Sequence, residues 1–567
     1  MRKKHISQFL FGIILLVGLN VVANRYFLRL DLTEDQRYSI SPATKKILRN
    51  LQQDVYIKVY LEGEFPAGFK RLQKAVREAL DEFKIYAGNK LNYRFIDPSL
   101  QGKDQKEKNQ FYQQLVDKGI SPTNLFVGQG DNRSEKLIFP GAIISLYDKK
   151  SGKSYETTAQ LFRVVDQKLQ SNLSPEQILN QSAENVEYNL ISSLRQLTQE
   201  NRKKIGFIVG HGELEDHEMA SAVLNLRQYY EVVKVPLPFE TKIKDGLDMI
   251  IVAKPDSTFS EEDKLKIDQF IMKGGKAMFF VDVVGLHMDS VIRDKGSFSF
   301  PIRHNLLDLF FRYGVRLNAD LIKDLNAGLI PIVTGMYADN RPNIQPIPWQ
   351  YNPLINTFSK HPIVKNMGPI QSKFISTIDT VKAQGIQKTP LLYTSQYSIV
   401  RSTPTFVRYE EERQRPDPRL YNQGPLAVAY LLEGKFNSLF KSRSQSQSPG
   451  FVAQSKPTKI LVCSDGDLIK NDFDPQKQEP LPMGYDLIRR TSFSNADFLL
   501  NAVDYMIDEQ GTILAKNKEI VLRPLDKIKL KEEKSYWQWF NMILPVILVV
   551  LFGIINYLIR NYKYKNV

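Results

Sequence analysis

Apolar residues run almost unbroken from Ile6 to Ala23 and again from Trp537 to Ile559, and between these runs the pattern breaks into short apolar bursts and amphipathic stretches. About 20 apolar residues cross a bilayer as a helix, so both terminal runs read as membrane spans. Arg2, Lys3 and Lys4 precede the first; Val22-Ala23-Asn24-Arg25 makes a poor cleavage site, which favours an uncleaved anchor over a signal peptide. Trp537 and Trp539 mark one end of the second run, and Tyr557, Arg560, Tyr562, Lys563 and Lys565 mark the other, as expected at membrane interfaces. Basic clusters at both extreme ends predict cytoplasmic termini and a periplasmic main region at a bacterial inner membrane. Arg25, Arg29, Arg37, Lys527, Lys529, Lys531 and Lys534 on the opposite flanks reduce that asymmetry.

After the anchor (1–30), Ser41 can cap a helix whose first turn holds Pro42 and which runs to about residue 52. Val55 to Leu61 alternates as a strand does, Phe69, Leu72, Val76, Leu80 and Phe83 recur at helical spacing, and Leu91 to Ile96 is strand-like again. This β-α-β unit, with strands expected at 124–127 and 142–146, predicts a small α/β domain over 31–170. Ser174-Pro175-Glu176-Gln177 opens a capping box, and a helical stretch over 184–198 leads into a second domain, 171–515. There Lys204–Val209, Met249–Ala253 and Ala277–Val281 are apolar strands. Helices are expected over 219–229 and 260–273, the latter capped by Ser260 and stopped at Gly274-Gly275. Such alternation implies a parallel sheet covered by helices on both faces. Lys459–Cys463 and the helical Asn495–Ile507 read as a late return to that sheet. Residues 296–440, rich in proline and tyrosine, form an insertion; the serine-rich 441–456 reads as a mobile loop. A juxtamembrane linker over 516–536 leads to the terminal span, 537–560. The expected fold class is therefore α/β: a small α/β domain and a larger parallel-sheet domain, flanked by two transmembrane helices.

Composition narrows the function classes. The charge of +15, from 77 basic and 62 acidic residues, is spread along the chain, with no recognition helix, zinc finger or aromatic RNA-binding signature, so no nucleic-acid partner is expected. Cys463 is the only cysteine, which excludes an intramolecular disulfide and a cysteine-rich zinc site.

The sharpest local motif, Gly210-His211-Gly212-Glu213-Leu214-Glu215-Asp216-His217, follows a strand and precedes a helix, where open α/β sheets bind ligands. Glycines there let a backbone approach an anion, and His211, Glu213, Asp216 and His217 are competent metal ligands or acid/base groups. The same residues equally suit a tight turn and a helix cap, and both readings stay open. A second cluster, Asp465-Gly-Asp467 with Asn471, Asp472 and Asp474, offers oxygen ligands for calcium or magnesium, but not at the spacing of a helix-loop-helix calcium site. Neither cluster brings a nucleophile, because Cys463 lies within an apolar strand and no Gly-x-Ser-x-Gly elbow occurs. Gly152-Lys153-Ser154 has Tyr147 where a phosphate loop needs its first glycine. Enzymatic activity and cofactors are not expected, and ATP hydrolysis must come from another subunit.

Taken in order, several stretches resemble the gliding-motility ABC-transporter auxiliary family of Bacteroidetes, the GldG family. They are the anchor followed by Asp31-Leu-Thr-Glu-Asp-Gln-Arg-Tyr-Ser-Ile-Ser-Pro, Tyr60-Leu-Glu-Gly-Glu-Phe-Pro-Ala-Gly-Phe-Lys-Arg-Leu, Gly210-His-Gly-Glu, Asp465-Gly-Asp-Leu-Ile-Lys-Asn, Asn495 with Asn501, Arg523-Pro-Leu-Asp and the terminal span. The resemblance implies a subunit beside an ABC permease and a separate ATPase, tied to gliding motility and to the associated type IX protein secretion, in contact with membrane lipid and an envelope protein. It further implies a thioredoxin-like first domain and a flavodoxin- or amidotransferase-like second domain without a catalytic cysteine. The alternative is a membrane-tethered enzyme, or a metal- or small-ligand-binding protein, using the Gly-His-Gly-Glu site.

Overall fold

A computed structural model of the chain describes residues 11–15, 18, 39–127, 134–148, 152–162, 175–198, 202–410, 416–474, 476–508, 511–517 and 532–564. It divides into two units, Met1–Lys518 and Glu519–Val567.

In the first unit, Ser41 caps the helix α1 (Pro42–Arg49), its hydroxyl accepting from the Thr44 N–H at 3.2 Å. Strand β1 (Asp54–Val59), helix α2 (Ala67–Ala87) and strand β2 (Leu91–Phe95) form the β-α-β unit, with β1 and β2 parallel. Strands β3 (Gly141–Asp148) and β4 (Lys153–Gln160) complete a four-stranded sheet in the order β2-β1-β3-β4. Val55, Ile57 and Val59 point to one face of β1 and meet Phe69, Leu72, Val76, Leu80 and Phe83 of α2. Helix α3 (Val186–Thr198) belongs to this core through Val186, Leu190, Ile191 and Leu194. The stretch expected to lead into the second domain thus covers the first sheet, because its apolar stripe matches that sheet's uncovered face.

The second sheet is eight-stranded. Its parallel part holds β5 (Lys204–Val209), β6 (Glu231–Pro236), β7 (Met249–Ala253), β8 (Lys276–Phe280) and the late strand β12 (Thr458–Cys463), in the spatial order β6-β5-β7-β8-β12. This is the 2-1-3-4-5 order of a doubly wound sheet, with its switch point between β5 and β7. Helices α4 (Ala220–Arg227) and α6 (Asn495–Ile507) pack on one face. Helix α5 (Glu261–Met272) packs on the other, beside the helix Leu307–Tyr313. Both faces being covered, β7 is buried along its whole length.

Within residues 296–440, three strands extend the large sheet on its antiparallel side: β9 (Thr357–Phe358), β10 (Ile386–Tyr393) and β11 (Ala427–Gly434), with β11 paired to β12. Of the remainder, the helix Leu307–Tyr313 and the pair Val315–Leu317 with Ile378–Thr380 join the main core, and other stretches make small antiparallel sheets around a separate core that contains Trp349, Tyr351 and Phe374. The insertion therefore completes the main sheet as well as adding to it.

The serine-rich 441–456, expected as a mobile loop, is instead tied to α5. Gln269 exchanges two hydrogen bonds with the Val452 backbone, at 2.7 and 3.1 Å, and Arg443 pairs with Glu261 and Asp308. Polar composition left it without a core of its own, and α5 and the helix Leu307–Tyr313 supply the partners.

The second unit contains the helix α7 (Lys534–Tyr564), whose most apolar 18-residue window has a mean hydropathy of 2.7, and whose stretch Lys534–Tyr562 has the length and composition to cross a membrane. The N-terminal span lies outside the described residues, apart from 11–15 and 18, which are helical.

Candidate functional site

The candidate residues gather at the carboxyl edge of the parallel strands. Beyond Val209, Gly210 and Gly212 take φ values of 124° and 70°. At Gly212 a β-carbon would lie 1.6 Å from Asp256 Oδ1, so glycine is required on conformational and steric grounds alike. The turn is stitched to the end of β7: the Leu214 N–H donates to the Ala253 carbonyl, and the Asp256 and Ser257 N–H groups donate to the His211 carbonyl.

That stitching turns His211 inward. Its ring stacks on Phe259 with centroids 3.7 Å apart and is 4% exposed. Nε2 lies 3.1 Å from Asp263 Oδ2 and Nδ1 lies 3.4 Å from Glu213 Oε1, while Glu213 Oε2 accepts the His211 N–H at 2.7 Å. Asp263 is itself held by Ser260, the cap of α5, and by Lys266 at 2.8 Å. Burial lowers the His211 pKa, but the Glu213 and Asp263 carboxylates outweigh it and the net shift is upward. Burial raises the Asp263 pKa, and Lys266, Ser260 and His211 outweigh it to leave it lowered. The arrangement is an imidazole clamped between two carboxylates, with both ring nitrogens facing protein.

Asp216 and His217 do not join this clamp. Both are exposed at the turn's outer side, where Asp216 pairs with Lys234 and His217 lies 3.3 Å from Glu215.

Strands β7, β8 and β12 each deliver a charged residue just past their ends, and these meet. Lys254, with φ 52°, places Nζ 3.1 Å from Asp282 Oδ2 and 2.5 Å from Asp467 Oδ2. Asp465 accepts from the Asp467 and Lys373 N–H groups, and Asp282 accepts from Gly466 N–H. A β-carbon on Gly466 would lie 2.5 Å from Lys254 Cγ, so Gly466 lets the lysine pass close to the loop. Carboxylate oxygens of Asp282, Asp465 and Asp467 fall within 4.8 Å of one another, a donor set competent for a divalent cation. The Lys254 ammonium stands at that set and supplies the positive charge. Burial raises Asp282 and Asp465, and the neighbouring carboxylates push Asp465 further. Burial raises Asp467 too, but Lys254 outweighs it and leaves Asp467 below the ordinary range.

Asn471 joins the two motifs. Its side chain accepts from the Ser221 N–H at 2.9 Å and donates to the His217 carbonyl at 2.9 Å, fastening the Asp465–Asp474 loop to the start of α4. The two sequence motifs thus share one sheet edge while holding separate charge clusters. Asp263, Lys254 and Asp282 were missed in the sequence. For Lys254 and Asp282 the available signal was a charged residue one or two positions beyond an apolar strand; for Asp263 it was only the pairing with the helix cap Ser260.

A third cluster, also unforeseen, lies where α3 meets α6. Asp504 accepts from the Tyr188 hydroxyl at 2.8 Å and the Tyr230 hydroxyl at 2.6 Å, and Arg195 pairs with Asp504 at 2.5 Å and Asp508 at 2.9 Å. Burial acts to raise Asp504, but Arg195 and the two phenols outweigh it and hold the carboxyl low.

Comparison with known proteins gives the following. An uncharacterized protein of Borreliella burgdorferi strain B31 is 22% identical over 549 residues, covering 93% of each chain. A solved structure of the mmIFT52 N-terminal domain aligns with 54% of this chain and 97% of its own, at 12% identity and a TM-score of 0.30, a likeness that supports no argument. Residues 34–145 match a domain family of unknown function, DUF7088. Residues 202–502 match the family described as an ABC-type uncharacterized transport system, and this match holds both sheet-edge clusters and the first part of α6. Since that segment is more than half of the 567 residues, the chain belongs to this ABC-type transport-system auxiliary family.

Proposed function

We propose that the chain is a non-enzymatic subunit of an ABC transport complex, whose large unit engages a partner in the envelope while a separate permease and ATPase provide the path and the energy. The observation that carries this reading is the inward closure of His211, Glu213 and Asp263 and of the Lys254, Asp282 and Asp467 cluster, while the exposed Asp216 and His217 stand beside Lys234 and Glu215. A catalytic acid or base must reach its substrate. His211 turns both ring nitrogens to Glu213 and Asp263, and Lys254 bridges Asp282 and Asp467. The thiol of Cys463 lies inside β12, where burial keeps it protonated and unreactive.

The finer reading is that the complex serves gliding motility and type IX secretion, with both termini cytoplasmic and the large unit periplasmic. It is supported by the order of the motifs from Asp31 to Arg523 and by the basic residues at the chain ends. Lipid contacts then belong to α7. Complementation of a deletion strain with His211→Ala and Glu213→Ala tests the non-enzymatic reading. Gliding and secretion are expected to fall only as far as the amount of folded subunit falls. A full complement of folded, complexed subunit with no function would assign chemistry to the site.

A further inference from the structure

Helices α3 and α6 each bury an apolar face in a different sheet. Leu190, Ile191 and Leu194 belong to the core of the first; Phe498, Ala502 and Val503 belong to the core of the second. The faces they turn toward one another are polar. Asn189, Ser192 and Gln196 on α3 confront Asn501 and Asp504 on α6 across a cavity of about 350 Å³. Ligand sites run from roughly 300 to 1,000 Å³ and favour junctions of this kind.

We infer that this cavity is a binding site for a small uncharged molecule rich in hydrogen-bonding groups. The charged side chains in its wall, Arg195, Asp497, Asp504 and Lys516, all have partners within the protein. Arg195 is held by Asp504 and Asp508, and Lys516 donates to Asn501 Oδ1 at 2.6 Å and lies 4.2 Å from the Tyr188 ring centroid. A charged ligand would give up its hydration there and meet no spare counter-charge, a heavy desolvation cost. The rest of the wall is largely carboxamide, hydroxyl and phenol, interrupted by Phe162, Met367 and Leu500; Asn189 donates to the Gln160 carbonyl, which leaves its Oδ1 facing other partners, and Ser192 and Tyr229 add hydroxyls. Carboxamides both donate and accept, which suits amide and hydroxyl groups alike. A molecule seated there touches elements of both sheets at once. The inference does not depend on the transport role and goes beyond it.

Saturation-transfer NMR on the full chain in detergent micelles tests it. The uncharged probes are N-acetylglycinamide for an amide source and myo-inositol for a polyol source, with glutamate and choline as charged probes. Binding of at least one uncharged probe is expected, and the stronger of the two assigns the source. Ser192→Trp, which fills the cavity, and Asn189→Ala, which leaves it open but removes a carboxamide from its wall, should each weaken that binding about tenfold or more, the effect of losing roughly one well-formed polar contact or more. Thermal melting of both variants separates loss of binding from loss of fold. Should Ser192→Trp fail to fold, unchanged binding in a folded Asn189→Ala protein would by itself overturn the proposal. Charged probes binding as well as uncharged ones, or no uncharged probe binding, would also overturn it.

Discussion

Tyr188 and Asp504, separated by 316 positions in the sequence, share a hydrogen bond of 2.8 Å that ties the first sheet's covering helix to the last helix of the second. The bond works within a set, because Asp504 is buried and relies on Arg195 for its counter-charge. Arg195→Ala leaves that carboxylate without compensation and is expected to destabilise the first unit by about 3–5 kcal/mol, read from urea unfolding. Asp504 has a lowered folded pKa, so its contribution is complete above the ordinary carboxylate range and is lost as pH falls through the folded value. The variant's deficit should shrink in acid; a deficit under about 1 kcal/mol at neutral pH would show that the cluster is not a clamp.

His211 follows the opposite sign. Its folded pKa is raised, so the stability from its clamp is fully present below the ordinary histidine value and is lost as pH rises through the folded one. Wild type should therefore exceed His211→Asn by about 2–4 kcal/mol near pH 6, and the gap should narrow toward about pH 9. Urea unfolding at both pH values measures this. A gap that widens with pH would mean that a neutral imidazole is the stabilising form.

Lys254→Met removes the cation from three carboxylates. Asp282 and Asp465 are held above the ordinary range, so each stabilises in its protonated form, fully below the unfolded pKa and progressively less as pH rises through the raised value. Without Lys254 those values rise further. The variant should be weaker than wild type by about 3–5 kcal/mol near pH 7 and should approach it as the buffer is made acidic, as followed by thermal melting. A deficit independent of pH would point to lost packing instead.

Much of the central sheet was legible because its strands are consecutive apolar runs with clear stops. Ser260 and Gly274-Gly275 bracket α5, and Thr458–Cys463 announces the return of the chain. The antiparallel strands β10 and β11 were hidden inside the insertion, where Pro390 interrupts one of them and the surrounding prolines suggest irregular chain. The candidate residues were half legible. Gly210 to Glu213 and Asp465 to Asn471 were found as stretches, and both sit on the expected edge. Their partners were not found as such: Lys254 and Asp282 stand just past apolar strands, but which loop each meets is set by strand order, which no local pattern encodes, and Asp263 comes from the first turn of α5. The Arg195–Asp504 pair was invisible because its members lie 309 positions apart, and Asp504 is one acid within an apolar helix.

The most direct test is purification of the affinity-tagged full chain from its native membrane, followed by ATPase assay of the material recovered. A permease and a separate ATPase should purify with it in fixed ratio, and deleting the chain should change the rate at which that ATPase works in membranes. A chain that purifies alone, and whose deletion leaves the ATPase unchanged, would contradict its role as a coupled transporter subunit.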